Sequence, residues 1–254
     1  MYKRQGNATF DGAVTLGGGE DTITATGTNT VNFLTSVTAE TINANDSVTV
    51  NLDGTVNATT INIANAATVS MGAGLVTSDV VNSGTLLFDG AGGLTGDVSG
   101  TGTLDVDAST TLTGDVAATS ADIANGQTLT IVNDDAAAGA AGTVTIGTVT
   151  LNDATSGLTL DADADGTTTF TGNIVAASPG VGVVTTGVDA GENETVVIDG
   201  EIGTASNAIA TLAVGGTSAD ADAKVTTTTG NIYANNITID NGDTLNVTGT
   251  TATV

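Results

Sequence analysis

The residue types in this chain that could do chemistry are few, and nearly all are acidic. Its 254 residues hold 28 Asp and Glu against three Lys and Arg, with no His, no Cys and no Trp. Without imidazole or thiol there is no ordinary general base, no thiolate nucleophile and no zinc-type ligand set, so carboxylates, hydroxyls and calcium-type sites are what remain. The most organised run is Asp161-Ala162-Asp163-Ala164-Asp165-Gly166, with carboxylates on alternate residues and a glycine after them. That is the first half of a calcium loop. The twelfth position counted from Asp161 is Gly172, where such a loop supplies a bidentate Glu. A calcium held by Asp161, Asp163 and Asp165 would therefore be completed by carbonyls and water. A solvated acidic turn between strands at 158–160 and 168–170 is the plainer reading, and the missing second half favours it. No other cofactor is expected.

Charge narrows the partners. The formal net charge is −25. Met1-Tyr2-Lys3-Arg4-Gln5 looks like the translated end of a sequencing adapter, so residues 1–5 are expected to be an artefact and the chain a fragment of a longer protein. Removing their two cations takes the charge to −27 and leaves Lys224 as the one cation of residues 6–254. Such a surface disfavours nucleic acid and anionic membrane. No run reaches the eighteen or more apolar residues of a membrane-spanning helix, so direct membrane insertion of this segment is not expected. Hydrophobic residues make up 39% of the chain, enough to argue for a packed fold rather than disorder.

The elements that must position these residues announce themselves as repeats. Residues 52–71, 112–131 and 228–247 align over twenty residues without a gap, with Gly54, Gly114 and Gly230 at the third place. Ile63, Ile123 and Ile239 recur further on, followed by Asn65, Asn125 and Asn241. An opening element, apolar-x-Gly-x-Val/Ile, occurs at Phe10, Leu52, Leu94, Leu112, Phe170 and Ile198, and is read as one frame. A closing element, apolar, four residues, then Ser/Thr-Leu/Val-x-apolar, starts at Ile42, Ile63, Val80, Val98, Ile123 and Ile239. Short β-strands with turn residues at a period near twenty make a solenoid, each coil burying its apolar face on its neighbours. Taking ~20 residues per coil, residues 6–254 form a single all-β domain, a right-handed parallel β-helix of about twelve irregular coils. Coil length is expected to fall to thirteen residues at 94–106 and to swell at loops near 136–141, 178–183 and 218–224. Asn65, Asn82, Asn125 and Asn241 are expected at left-handed corners, stacked as a ladder along the axis.

The repeats Phe170-Thr171-Gly172-Asn173-Ile174, Leu112-Thr113-Gly114-Asp115-Val116 and the run 198–216 resemble the passenger regions of bacterial autotransporter-type surface antigens and adhesins. The likeness covers most of residues 6–254. It implies a non-catalytic structural or adhesive stalk at the bacterial cell surface, anchored elsewhere through the outer membrane. The implied partner is a host-cell, matrix or neighbouring-cell ligand, with end-to-end self-association of the fragment as an additional expectation. Gly17-Gly18-Gly19-Glu20-Asp21-Thr22-Ile23 resembles in part the calcium nonapeptide of RTX β-rolls. A surface-layer or calcium-dependent RTX-like secreted protein is thus the alternative, although a lone copy reads as a turn. A polysaccharide-acting β-helix enzyme ranks lower, because its acidic substrate would be repelled and sugar-stacking aromatics are scarce. An ice-binding solenoid ranks lower still, since uneven coils would interrupt its threonine array.

Overall fold

In the computed structural model the described residues are 7–17, 21–133, 141–162, 166–187, 193–215, 224–249 and 252–253. They form 26 strands and no helix. Every strand ladder whose register is resolved is parallel, and strands follow one another by coil rather than by hairpin. The fold is a parallel β-helix. It divides into two compact units, Met1–Thr113 with Ala117–Thr119, and Gly114–Val116 with Ser120–Val254.

The first unit stacks like on like. Ala8 lies on Val31, Val31 on Val50, Val50 on Val69, Val69 on Leu86 and Leu86 on Leu104, which marks six levels. After a first step of 23 residues the advance stays between 17, from Val69 to Leu86, and 20, from Val56 to Val76. The alternation of these strands sends every second residue inward. Phe33, Leu52, Met71, Phe88 and Val106 form one buried column, capped by Phe10, whose ring stacks on Phe33 at 4.9 Å. Burying each large side chain contributes about 1.5–3 kcal/mol. The outward residues repeat as well: Thr30, Thr49, Thr68, Thr85 and Thr103 stand one per level.

The second unit winds wider. Val184 follows Leu158 by 26 residues and Leu212 follows Val184 by 28, whereas Val225 follows Thr195 by 30. From Val225 to Thr244 the step returns to 19. One register runs Val149, Ile174, Ile202, Ile232 and Ala252, and another Leu129, Leu158, Val184, Leu212 and Ile237. Most extra residues enter between strands, with one bulge inside Ala141–Leu151 between Thr145 and Thr148, and the ladder resumes beyond it while coil length changes. One described interruption is the Pro179-Gly180 turn.

Several details differ from the sequence reading. There is no thirteen-residue coil at 94–106: Leu94 lies on Leu112, and Val106 lies on Phe88. The opening element does not hold one frame either. Leu52 belongs to the Phe33–Met71 column, but Leu94 and Leu112 belong to the column of Val56 and Val76. The same five residues therefore build two different corners of the coil. Likewise Ile42 lies on Ile61, and Ile63 lies between Ala44 and Asn82. A strand, a glycine corner and another strand is a local solution that any corner can use, so sequence alignment finds the element without its place.

What the glycine does is clear from its surroundings. At Gly54 an added Cβ would strike the backbone of Thr35 in the coil before, and at Gly74 that of Gly54. In the second unit Gly172, Gly200, Gly230 and Gly249 make a similar spine, each of the last three receiving the carbonyl of the one before. Coils 4.7–4.9 Å apart leave no room for a methyl where a carbonyl turns along the axis. Gly12, in the first copy, has nothing within 4 Å of an added Cβ.

The asparagines are also reassigned. Asn65, Asn125 and Asn241 are not stacked inside the coil, and the positive φ falls one residue later, at Ala66 (71°), Gly126 (76°) and Gly242 (99°). Asn82 is buried and fixes a corner, its Nδ2 donating to the Thr103 carbonyl at 3.0 Å and its Oδ1 accepting from the Gly84 N–H at 3.0 Å. Ladders do exist, but on strand faces: Asn51 donates to Asn32 at 2.7 Å and Asn62 to Asn43 at 2.8 Å. Side chains that point straight out of a flat parallel sheet meet their successors, whereas those on turning backbone splay apart.

Gly54→Ala should cost on the order of 2 kcal/mol or more in urea unfolding, because backbone has to move. Gly12→Ala, the same change in the same motif, should stay within about 0.5 kcal/mol. Equal effects would show that the motif, and not the coil in front of it, sets the requirement.

Candidate functional site

In the second unit the core turns polar. Inward positions that are aliphatic elsewhere hold Thr168, Thr186, Thr226 and Thr228, all buried. Thr186 and Thr226 share a hydroxyl contact of 2.6 Å, and Thr168 Oγ1 donates to the Asp161 carbonyl at 2.8 Å. Beside them lie three charged residues, Asp161, Glu194 and Lys224, exposed by only 2%, 2% and 3%.

Backbone stacking places this group. Glu194 immediately precedes the strand Thr195–Asp199, whose first N–H bonds to the Gly166 carbonyl at 3.0 Å. Lys224 immediately precedes Val225–Thr228, whose first N–H bonds to the Glu194 carbonyl at 2.9 Å. Thr244 N–H then bonds to the Lys224 carbonyl at 2.9 Å, while Lys224 N–H donates to Asp243 Oδ1 at 2.9 Å. Glu194 and Lys224 are thus successive members of one column. Asp161 enters from the end of the strand Gly157–Ala162, near the level of Gly166. Gly187 closes the far side. Its N–H bonds to the Leu160 carbonyl at 3.0 Å, and a Cβ there would lie 2.9 Å from Lys224 Cδ and 3.3 Å from Glu194 Oε2. At φ 64° that residue also adopts a backbone that favours glycine.

Burial dominates the electrostatics of Glu194. Loss of water, and then the adjoining Asp161 carboxyl, push its acid up from 4.5 to about 9, only partly offset by Lys224 and the Ala162 N–H. Neither Glu194 oxygen has a hydrogen-bond partner of good geometry, although Asp161 and Ala162 lie close enough to bias its proton. At neutral pH Glu194 is a protonated acid. A protonated Glu194 leaves one negative charge fewer in this buried group, which lessens the cost of taking charge out of water.

The sequence reading of Asp161 as part of a solvated acidic turn is therefore corrected: its side chain is inside. Asp163 and Asp165 lie outside the described residues. Gly172 sits at a spine corner, and no group of three or more Asp or Glu among the described residues is placed to hold a metal ion. Glu194 carried no sequence signal, being one acid among 28. Lys224 did, as the one cation beyond residues 1–5, and rarity was the usable clue.

A second acid has the opposite environment. Asp153 Oδ1 accepts from the N–H groups of Thr155 (2.9 Å), Ser156 (2.7 Å) and, one coil away, Gly126 (3.2 Å), and from the hydroxyls of Thr155 and Ser156. The Thr155 N–H and its companions hold this carboxyl down near about 2. It is a structural clamp.

Chemically, the buried group sets a neutral acid, Glu194, beside a second carboxyl, Asp161, with the Lys224 side chain passing along Gly187 next to them. That suits proton transfer among its own members. Compared with protein-family models, with curated proteins and with solved structures, the chain matches none.

A group whose folded pKa is raised stabilises fully below its unfolded value and loses that contribution as pH rises through the folded one. For Glu194 the window runs from about 4.5 to about 9, so thermal melting should fall steadily across it. Glu194→Gln, which stays neutral, should flatten that slope while keeping the fold. Asp153 has a lowered pKa, so its contribution should persist above pH ~4 and be lost as pH falls through about 2; Asp153→Asn should remove that acid limb. Melting curves from pH 2 to 10 for the three proteins check both limbs.

Proposed function

We propose that this chain is a structural, adhesive segment of an exported bacterial cell-surface protein, a stalk that displays surface rather than turning over a substrate. The observation that carries the reading is in-register stacking: level after level repeats the same inward aliphatics and the same outward Thr and Asn. Each level needs only its predecessor as a template. A fold of that kind can add coil by coil as the chain leaves a membrane pore, and the absence of Cys removes any dependence on disulfide formation in transit. The excess of 28 acids over three bases keeps such a surface hydrated and repels anionic polymers.

The same geometry weighs against polysaccharide chemistry. Asp161 and Glu194, the carboxyls that come together in the second unit, are each 2% exposed, and a sugar would have to open the core to reach them.

The test is display. Residues 6–254 placed between an export signal and an outer-membrane β-barrel should reach the surface of intact cells, where antibody binds them and added protease trims them to a resistant core. Retention inside the cell, or release of reducing ends from a polysaccharide panel by the purified chain, would overturn the reading.

A further inference from the structure

We propose that the second unit holds an alkaline-sensitive joint at Lys224: as pH rises, the strands from Val225 onward part from the coil of Glu194 and expose Lys224, while the first unit stays closed. The inference stands on the packing around Glu194 and does not rest on the functional reading above.

Three observations place the joint. First, Glu194 sits where a charge is poorly supported. Both its oxygens are buried without a hydrogen-bond partner of good geometry, a state that buried polar groups seldom adopt, and a second carboxyl, that of Asp161, adjoins them. Lys224 offsets this only in part, so an ionised Glu194 would favour any arrangement that returns it to water. Second, apolar packing is weak at the level of Lys224. The inward residues there are Thr226 and Thr228, set between Val196 and Ile198 on one side and Leu245 and Val247 on the other, and Thr228 Oγ1 is also buried without a partner. Third, the strands beyond are thinly covered. Ile239 lies on Val214 and Val247 on Thr228, yet the lower pair are 1% and 0% exposed while Ile239 and Val247 are 49% and 39% exposed. Segments with little buried apolar surface are the first to open locally. Parting at Lys224 gives up the ladder of Val225–Thr228 on Thr195–Asp199, that of Ile232–Ile239 on Ile209–Val214, and the Ile202–Ile232 bridge. It leaves the columns of the first unit untouched.

The ionisable groups around Glu194 set the direction. Among the described residues they are Asp161, at the end of Gly157–Ala162, and Lys224, just before Val225–Thr228, with Asp243 in the level beyond, where its Oδ1 accepts the Lys224 N–H. Val181–Thr186 and Gly187 bring no ionisable group, and Asp199, at the far end of the strand that Glu194 precedes, is exposed. Between about 4.5 and about 9 the closed form keeps the Glu194 proton and the opened form releases it. Opening in that window therefore gives up one proton, and the opened population grows about tenfold per pH unit until the closed acid ionises as well.

The sequence supplies its own assay. Lys224 is the one trypsin site beyond Arg4, and at 3% exposure it has to be uncovered before it is cut. The rate of cutting after Lys224 in the full chain, divided at each pH by the rate on a synthetic peptide spanning the same bond, should rise about tenfold per unit between about pH 6 and pH 9. Over that range chymotrypsin should cut increasingly after Tyr233 and leave Phe33 and Phe88, in the first unit, intact. Glu194→Gln, close in shape and always neutral, should abolish the rise. Asp161→Asn, which removes the neighbouring acid, should end the rise at a lower pH. A wild-type rate that stays flat across this range would overturn the proposal. So would a rise that persists unchanged in Glu194→Gln, or one matched by cutting at Phe88, which would mark opening of the whole chain rather than of the joint.

Discussion

The interaction on which everything else depends is the parallel backbone ladder from each coil to the next. It fixes the rise per coil, and the rise decides which side chains meet. Five threonines stand in file and two pairs of asparagines bond face to face because the ladder holds their backbones in register. The glycine spines follow from the same constraint. Where a carbonyl leaves the sheet and turns along the axis, the next coil passes too close for a Cβ, and glycine is the residue that fits.

The ladder is indifferent to what lies between strands, and the two units use that freedom differently. The first keeps steps of 17 to 20 residues beyond its first level and an interior of aliphatic and aromatic columns. The second takes steps of 25 to 30 over most of its length and admits threonines and charge to its core. A longer loop costs little once its ends are held, because closure entropy grows only slowly with length. Widening the coil without breaking the ladder is therefore a cheap way to bring distant residues into one dry place. Asp161, Glu194 and Lys224, each a full wide coil from the next in sequence, stack within adjoining levels.

That burial inverts ordinary acid behaviour. Asp153, held by backbone N–H groups at a turn, is kept ionised, whereas Glu194, taken from water and set beside another carboxyl, keeps its proton. Two acids of one unit thus pull stability in opposite directions with pH.

The chain on its own determined the class of fold. Strand formers at a period near twenty, with glycine and asparagine punctuation and no helix signal, have few other ways to bury their apolar face. It also singled out Lys224, by composition. Local pattern could say that a glycine corner follows an apolar residue, but not which of the corners it is, so Leu52 and Leu112 look equivalent and are not. It could flag Asp161 by its spacing, yet the side chain's burial depends on residues that arrive one and two coils later. Register between coils is a sum of loop lengths, and no short window contains that sum. Which asparagines stack, where the left-handed residues fall, and that Glu194 meets Asp161 and Lys224 were accordingly decided by tertiary stacking alone.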